Sequence, residues 1–79
     1  MPNQLYKQLI DLVATYVGTE KAPGIVERQM KYCTATSEAF TQEDLKKIQM
    51  YVIGAAKLYL MEKDRLEEMR TKVATLAGG

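Results

Sequence analysis

Four carboxylates near the carboxyl end of the chain are the residues best suited to catalysis: Glu62, Asp64, Glu67 and Glu68. Two such groups can act as general acid and general base when a cleft holds them facing each other with separated pKa values. Here they alternate with Lys63, Arg65 and Arg70. That alternation is typical of a solvated helix surface, where ion pairs contribute only tenths of a kcal/mol. The cluster therefore favours a structural role.

The scarcity of histidine and cysteine excludes several other kinds of catalytic and metal site. Histidine is absent, so an imidazole base, a histidine metal ligand and an axial histidine for haem are excluded. The single cysteine, Cys33, cannot form an intramolecular disulfide or a zinc site, and its apolar position in a helix predicts a small core residue. We expect no enzymatic activity, no metal and no cofactor, and a reducing, cytoplasmic compartment fits best.

The net charge of the chain does not indicate a particular binding partner. Eleven lysines and arginines stand against ten acidic residues, a net charge of +1, which is too little to attract nucleic acid or an anionic membrane. Nucleic-acid binding stays an alternative function because the third and fourth predicted helices carry seven basic residues: Lys46, Lys47, Lys57, Lys63, Arg65, Arg70 and Lys72. No apolar run approaches the length of a membrane span.

The elements that position these side chains are helices. With 79 residues and 47% hydrophobic content, the chain is long enough for one folded domain, residues 1–79, with a modest core. Apolar residues recur at helical spacing over residues 3–17, and Gly18 is suited to end that helix. Pro23 is compatible only with a first helical turn, which places a second helix at 21–33.

The third helix has the clearest start. Thr41 can cap it, Asp44 lies three residues later, and Phe40 can close over Leu45 as a hydrophobic staple. We predict this helix at 42–60, and a fourth at 64–76 with Asp64 as its cap. The predicted core is a set of apolar residues at helical spacing: Leu5, Leu9, Leu12, Val13, Tyr16, Val26, Met30, Leu45, Ile48, Val52, Ala55, Tyr59, Leu66, Met69, Val73 and Leu76.

Two architectures compete for the second half, because neither glycine nor proline interrupts residues 61–64. One is an all-α, small four-helix bundle built from two helical hairpins. The other has two short helices and one long helix, 42–77, forming a dimeric coiled coil. In a parallel coiled coil Glu62 would set two carboxylates against each other out of water. That cost favours the compact bundle.

The hydrophobic pattern of the first part returns 43 residues later. Ile10 aligns with Ile53 and Tyr16 with Tyr59, whereas the other pairs preserve only apolar character. The repeat is compatible with an ancestral duplication and equally with the shared demands of helix packing.

Four segments resemble a short helical module of bacterial and archaeal signalling and regulatory proteins, which has a "V/L-G-x-E-K" turn in each half. They are residues 17–22, which read VGTEKA, residues 26–29, residues 40–45, and residues 56–63. Met61 stands where the module has glycine. The resemblance implies a regulatory or interaction role and carries no catalytic residues.

The expected function is therefore non-catalytic protein binding, with self-association as its leading form. Helices one and three have broader apolar faces than two narrow neighbours can cover, and the predicted interface is the surplus: Tyr6, Ile10, Ile53 and Leu60. Tyr32 and Tyr51 lie at the margins of their stripes, and methionine is common at adaptable binding surfaces.

Overall fold

The computed structural model describes residues 3–78 as four α-helices, with no strand in that range. They are α1 (Gln4–Val17), α2 (Ala22–Met30), α3 (Gln42–Ala56) and α4 (Lys63–Leu76). α1 contacts α2 and α4, α3 contacts the same two helices, and α1 and α3 also touch across the bundle. The predicted four-helix bundle of two hairpins is confirmed. The single helix over 42–77 is wrong, because the chain turns between α3 and α4.

Local side-chain chemistry starts two of the helices. At α3 the capping box forms as predicted: the Thr41 hydroxyl accepts from the Asp44 amide at 3.2 Å, and the Asp44 carboxylate accepts from the Thr41 amide at 3.0 Å. At α1 the side chain of Asn3 accepts from the Tyr6 amide at 2.9 Å. α4 begins at Lys63 behind Glu62, and no side chain caps it. The predicted Asp64 cap is therefore wrong.

A residue with positive φ follows each helix of the first hairpin. Gly18 follows α1 with φ of 97° and donates its amide to Ala14, the role expected of that glycine. α2 stops at Met30, three residues before the predicted end, and passes through a turn to Thr34 at φ of 57°. A β-branched residue rarely adopts this conformation, so the backbone at Thr34, in the turn that follows α2, is strained.

The turn between α3 and α4 is closed by a buried leucine. α3 ends at Ala56, and the amides of Leu58 and Tyr59 then bond the carbonyls three residues back, which tightens the last turn. Leu60 turns into the core, so its neighbour Tyr59 faces outward with 45% of its surface exposed. The predicted helix to residue 60 and the predicted core position of Tyr59 are both wrong for this reason.

The core lies along the axis between the helices. Its largest fully buried side chains are Leu9, Val13, Val26, Leu45, Ile48, Val52, Met69 and Val73, all of them predicted core residues. Leu5, Leu12, Ala55 and Leu76 are half-buried and pack against this cluster. Cys33 is buried, as expected of a small core residue, and its thiol approaches the Met30 carbonyl at 3.3 Å. No helix in residues 3–78 is long and apolar enough to cross a membrane.

Candidate functional site

The outer surface of α3 carries large apolar side chains that the fold leaves uncovered. At about 100° per residue, the exposed positions from Lys46 to the turn after Ala56 fall within an arc of about 140°, and the exposed Glu43 lies in the same arc one turn earlier. We define the α3 face as Lys46, Lys47, Met50, Tyr51, Gly54, Lys57 and Leu58. Met50 is 77% exposed and Leu58 78%, and Met61, in the turn beyond, is 92% exposed. Large apolar groups clustered on one face are typical of an interaction surface.

A groove runs along one edge of the α3 face, between α3 and α4. Its volume is about 360 Å³, and both helices line it: Gln49, Met50, Ile53, Gly54 and Lys57 from α3, and Leu66, Arg70 and Val73 from α4. Ile53, Leu66 and Val73 are core residues, so the floor is apolar, whereas Lys57 and Arg70 supply positive charge. The arrangement can bind an apolar side chain and an anionic group together.

The segment that carries the α3 face has an excess of positive charge. Residues 45–61 contain three lysines and no aspartate or glutamate. The other edge of the α3 face adds to this charge, because Tyr51 stacks on Tyr32 with ring centroids 4.5 Å apart, and the ammonium of Lys31 lies 5.5 Å from the Tyr32 ring. Across the groove, Arg70 pairs with Glu67 at 3.6 Å. The molecule has a net charge of only +1, so this region is locally far more basic than the whole.

Gly54 lies in the interior of α3 with nothing within 4 Å of the place where a side chain would begin. A glycine inside a helix costs roughly 0.5–1 kcal/mol relative to alanine. Neither the packing nor the backbone angle of the free domain requires that cost, because the position is exposed and its φ is not left-handed. A bare backbone at the edge of a groove lets another chain approach closely.

The four residues predicted from the sequence as an interface do not lie on the α3 face. Tyr6, Ile53 and Leu60 are buried and Ile10 is half-buried, so these four residues do not form an exposed patch. Tyr6 packs edge-on against Phe40, and its hydroxyl donates to Glu27 at 2.9 Å. Burial, followed by the hydrogen bond to Glu27 and its charge, raises the pKa of Tyr6 to about 12. Only Ile53 contributes to the groove.

Sequence reasoning missed Met50 and Leu58, because both stand outside the apolar stripe that predicts the core. The signal that marks them is the absence of acidic residues over positions 45–61, combined with apolar residues on the polar side of the helix. Tyr51, which the sequence placed at the margin of its stripe, is 48% exposed and lies on the α3 face.

A second polar cluster joins α1 to α4 around Tyr16. The Tyr16 hydroxyl donates to the Glu68 carboxylate at 2.5 Å, and this bond, together with the charges of Lys72 and Arg65, lowers the pKa of Glu68. The Arg65 guanidinium lies 5.2 Å from the Tyr16 ring, and the Lys72 ammonium 5.7 Å. Interactions with Tyr16 and Glu68 raise the pKa of Lys72. These contacts hold the two helices together.

Six of the seven basic residues that suggested nucleic-acid binding lie on the α3 face, in its groove or around Tyr16. Arg65 and Lys72 lie against Tyr16, whereas Lys57 and Arg70 line the groove. The four carboxylates at 62–68 are all exposed, and within residues 3–78 no group of three acidic or cysteine side chains could hold a metal ion. Glu67 and Glu68 instead form ion pairs and hydrogen bonds within α4 and to α1.

No protein-family model, curated protein or solved structure matches the chain. We therefore infer function from the α3 face and its groove.

Proposed function

We propose that this domain is a non-catalytic protein-binding module whose binding surface is the α3 face and the adjoining groove. The observation that carries the proposal is the exposure of Met50 and Leu58 on one face of a helix whose opposite face fills the core. Burying a methionine or leucine side chain contributes about 1.5–3 kcal/mol, so two such residues beside a preformed groove can anchor a partner.

A regulatory role suits such a module. The resemblance to helical modules of signalling proteins implies the same role, and it rests on residues 17–22, 26–29, 40–45 and 56–63. Nucleic-acid binding has less support, because the α3 face combines its lysines with large apolar groups, and Arg65 and Lys72 lie against Tyr16 instead. Self-association is one form that protein binding could take, and the oligomeric state tests it directly.

The test compares the wild-type domain with the double variant Met50→Asp/Leu58→Asp. Both side chains are more than three-quarters exposed, so the substitutions leave the core intact. The matched control is Gln8→Asp/Thr36→Asp, which adds the same charge at exposed positions away from α3. Each protein is immobilised and incubated with extract of its source cells, with and without nuclease treatment, and bound proteins are quantified by mass spectrometry.

We expect specific proteins to bind the wild type and the control variant and to be lost from the double variant. Light scattering on the free proteins is measured in parallel, since a wild-type dimer that the double variant dissociates would identify self-association. Equal binding of the same proteins to all three would contradict the proposal. Binding that disappears on nuclease treatment would favour nucleic acid instead.

A further inference from the structure

We propose that the partner of the α3 face is an acidic amphipathic helix from another protein. This inference rests on the proposed function and deepens it by naming the chemistry of the ligand. It requires three properties of the surface: a charge that selects acidic residues, a shape that accepts a helix, and a pattern that disfavours a second copy of this chain.

The charge follows from the distribution of lysines along the helix. Lys46 and Lys47 lie near the start of the α3 face and Lys57 near its end, so cations bracket the apolar residues Met50 and Tyr51. The acidic residues nearest in sequence, Glu43 and Asp44, occupy the first turn, where Asp44 is committed to the capping box. Opposite charges across an interface steer association and suppress wrong partners, so a partner with acidic residues flanking apolar anchors is selected.

The shape follows from two packed helices. α3 has 15 residues and is therefore about 22 Å long. The groove beside it has an apolar floor, and Gly54 leaves the backbone of α3 uncovered at its edge. A helix lying along such a groove inserts apolar residues spaced at i, i+3 or i+4, and i+7. About four turns of partner helix match the length of α3.

A second copy of the chain fits this surface poorly. In a two-fold symmetric dimer the α3 face would meet itself and set lysines against lysines. A head-to-tail contact would need an exposed face that combines large apolar and acidic residues. Within residues 3–78 the exposed large apolar side chains all belong to the α3 face, the turn after it or Tyr32 stacked beside it, and the exposed side of α4 carries charged and small polar residues.

The experiment is a selection from displayed helical peptides about 18 residues long, a length that spans the groove. Apolar residues are fixed at i, i+4, i+7 and i+11, and the remaining positions vary among alanine, serine, glutamine, glutamate and lysine. Selection uses the full wild-type chain, and Met50→Asp/Leu58→Asp is the counter-selection target. Selected peptides are then synthesised, and their affinities are measured by fluorescence anisotropy.

We expect enriched peptides to carry glutamate beside the apolar anchors and to require the intact α3 face. The triple variant Lys46→Glu/Lys47→Glu/Lys57→Glu should weaken their binding about tenfold or more, since each exposed charge pair contributes roughly a 1.5- to 5-fold factor. The control Lys7→Glu/Gln8→Asp/Arg28→Glu/Thr36→Asp has the same net charge, with the changes at exposed positions away from the α3 face. Salt screens charges that lie more than about 8 Å from the bound peptide, so the control should change peptide affinity by no more than about twofold.

Each other outcome has a defined meaning. Peptides that require the α3 face but show no preference for glutamate would overturn the acidic partner and leave the protein-binding function standing. A selection in which no peptide survives removal of those that bind the double variant would overturn both. A wild-type dimer dissociated by Met50→Asp/Leu58→Asp would make a second copy the occupant and overturn this inference alone.

Discussion

Replacing Gly54 by alanine tests two effects of this glycine separately: its effect on the stability of the free domain and its effect on partner affinity. The added methyl group meets no atom within 4 Å, and α3 continues on both sides of the position. The substitution therefore introduces no clash and removes the entropic disadvantage of glycine in a helix. We expect the free energy of unfolding to rise by roughly 0.5–1 kcal/mol. For a domain of this size, that corresponds to an increase in Tm of about 2–8 °C.

Thermal and urea unfolding followed by circular dichroism measures the gain, and Gly24→Ala is the matched control. Gly24 also has open space around it, but it lies in the first turn of α2 and away from the α3 face. Its replacement should give a smaller stabilisation. Peptide affinity should fall for Gly54→Ala and stay unchanged for Gly24→Ala, because only the first methyl group obstructs the groove.

The reasoning fails if Gly54→Ala destabilises the isolated domain. That result would mean that the space beside Gly54 is occupied in the free protein, as it would be in a tight dimer. Melts at two protein concentrations would then distinguish the cases, since the stability of a dimer depends on concentration. An affinity unaffected by the substitution would remove Gly54 from the binding argument.

Four further substitutions test the fold. Thr41→Ala should lower the free energy of unfolding by about 1 kcal/mol, measured by urea denaturation, because the capping box is lost. Leu60→Ala should cost about 2–4 kcal/mol and Leu58→Ala less than about 0.5, since the first side chain is buried and the second exposed; equal losses would contradict the turn. The raised pKa of Tyr6 means that its contribution is complete below its ordinary value of 10.0 and lost as the pH rises through about 12. Tyr6→Phe should therefore flatten the fall in stability over that range, and an unchanged slope would contradict the assignment.

Local signals in the sequence predicted the fold where a few neighbouring residues decide it. The side chains of Thr41 and Asp44 start α3 by accepting hydrogen bonds from each other's backbone amides. Gly18 ends α1 with a positive φ, which glycine adopts easily. The periodic apolar residues predicted the inner face of each helix for the same reason, since one helix fixes which side chains point together.

The end of α3 could not be predicted locally. Nothing in residues 57–62 forbids a continued helix, and the chain leaves it because Leu60 is buried in the core shared by all four helices. That contact depends on the position of the other helices, which no local pattern specifies. The expectation that Tyr6 and Ile53 are exposed was wrong for a related reason: whether these side chains are exposed or buried depends on how closely the helices pack.

The 43-residue repeat predicts the order of the helices, but it does not predict which contacts the aligned side chains make. Tyr16 is buried and bonded to Glu68, whereas its counterpart Tyr59 is exposed with the Lys21 ammonium 4.6 Å from its ring. The two halves therefore share a helical hairpin but differ in what their aligned tyrosines contact.

Asn3 and the end of α4 are both anchored to the segment that leads into α3. Asn3 donates its amide to Ser37 at 2.8 Å and its side chain to Phe40 at 2.6 Å, while the Gln42 amide approaches the Leu76 carbonyl at 3.4 Å. A short linker could therefore join the two ends, and the chain could be reopened at the turn after Gly18 without losing a helix pair. Such a circularly permuted domain would keep the α3 surface continuous, which makes it a convenient unit for insertion into a loop of another protein.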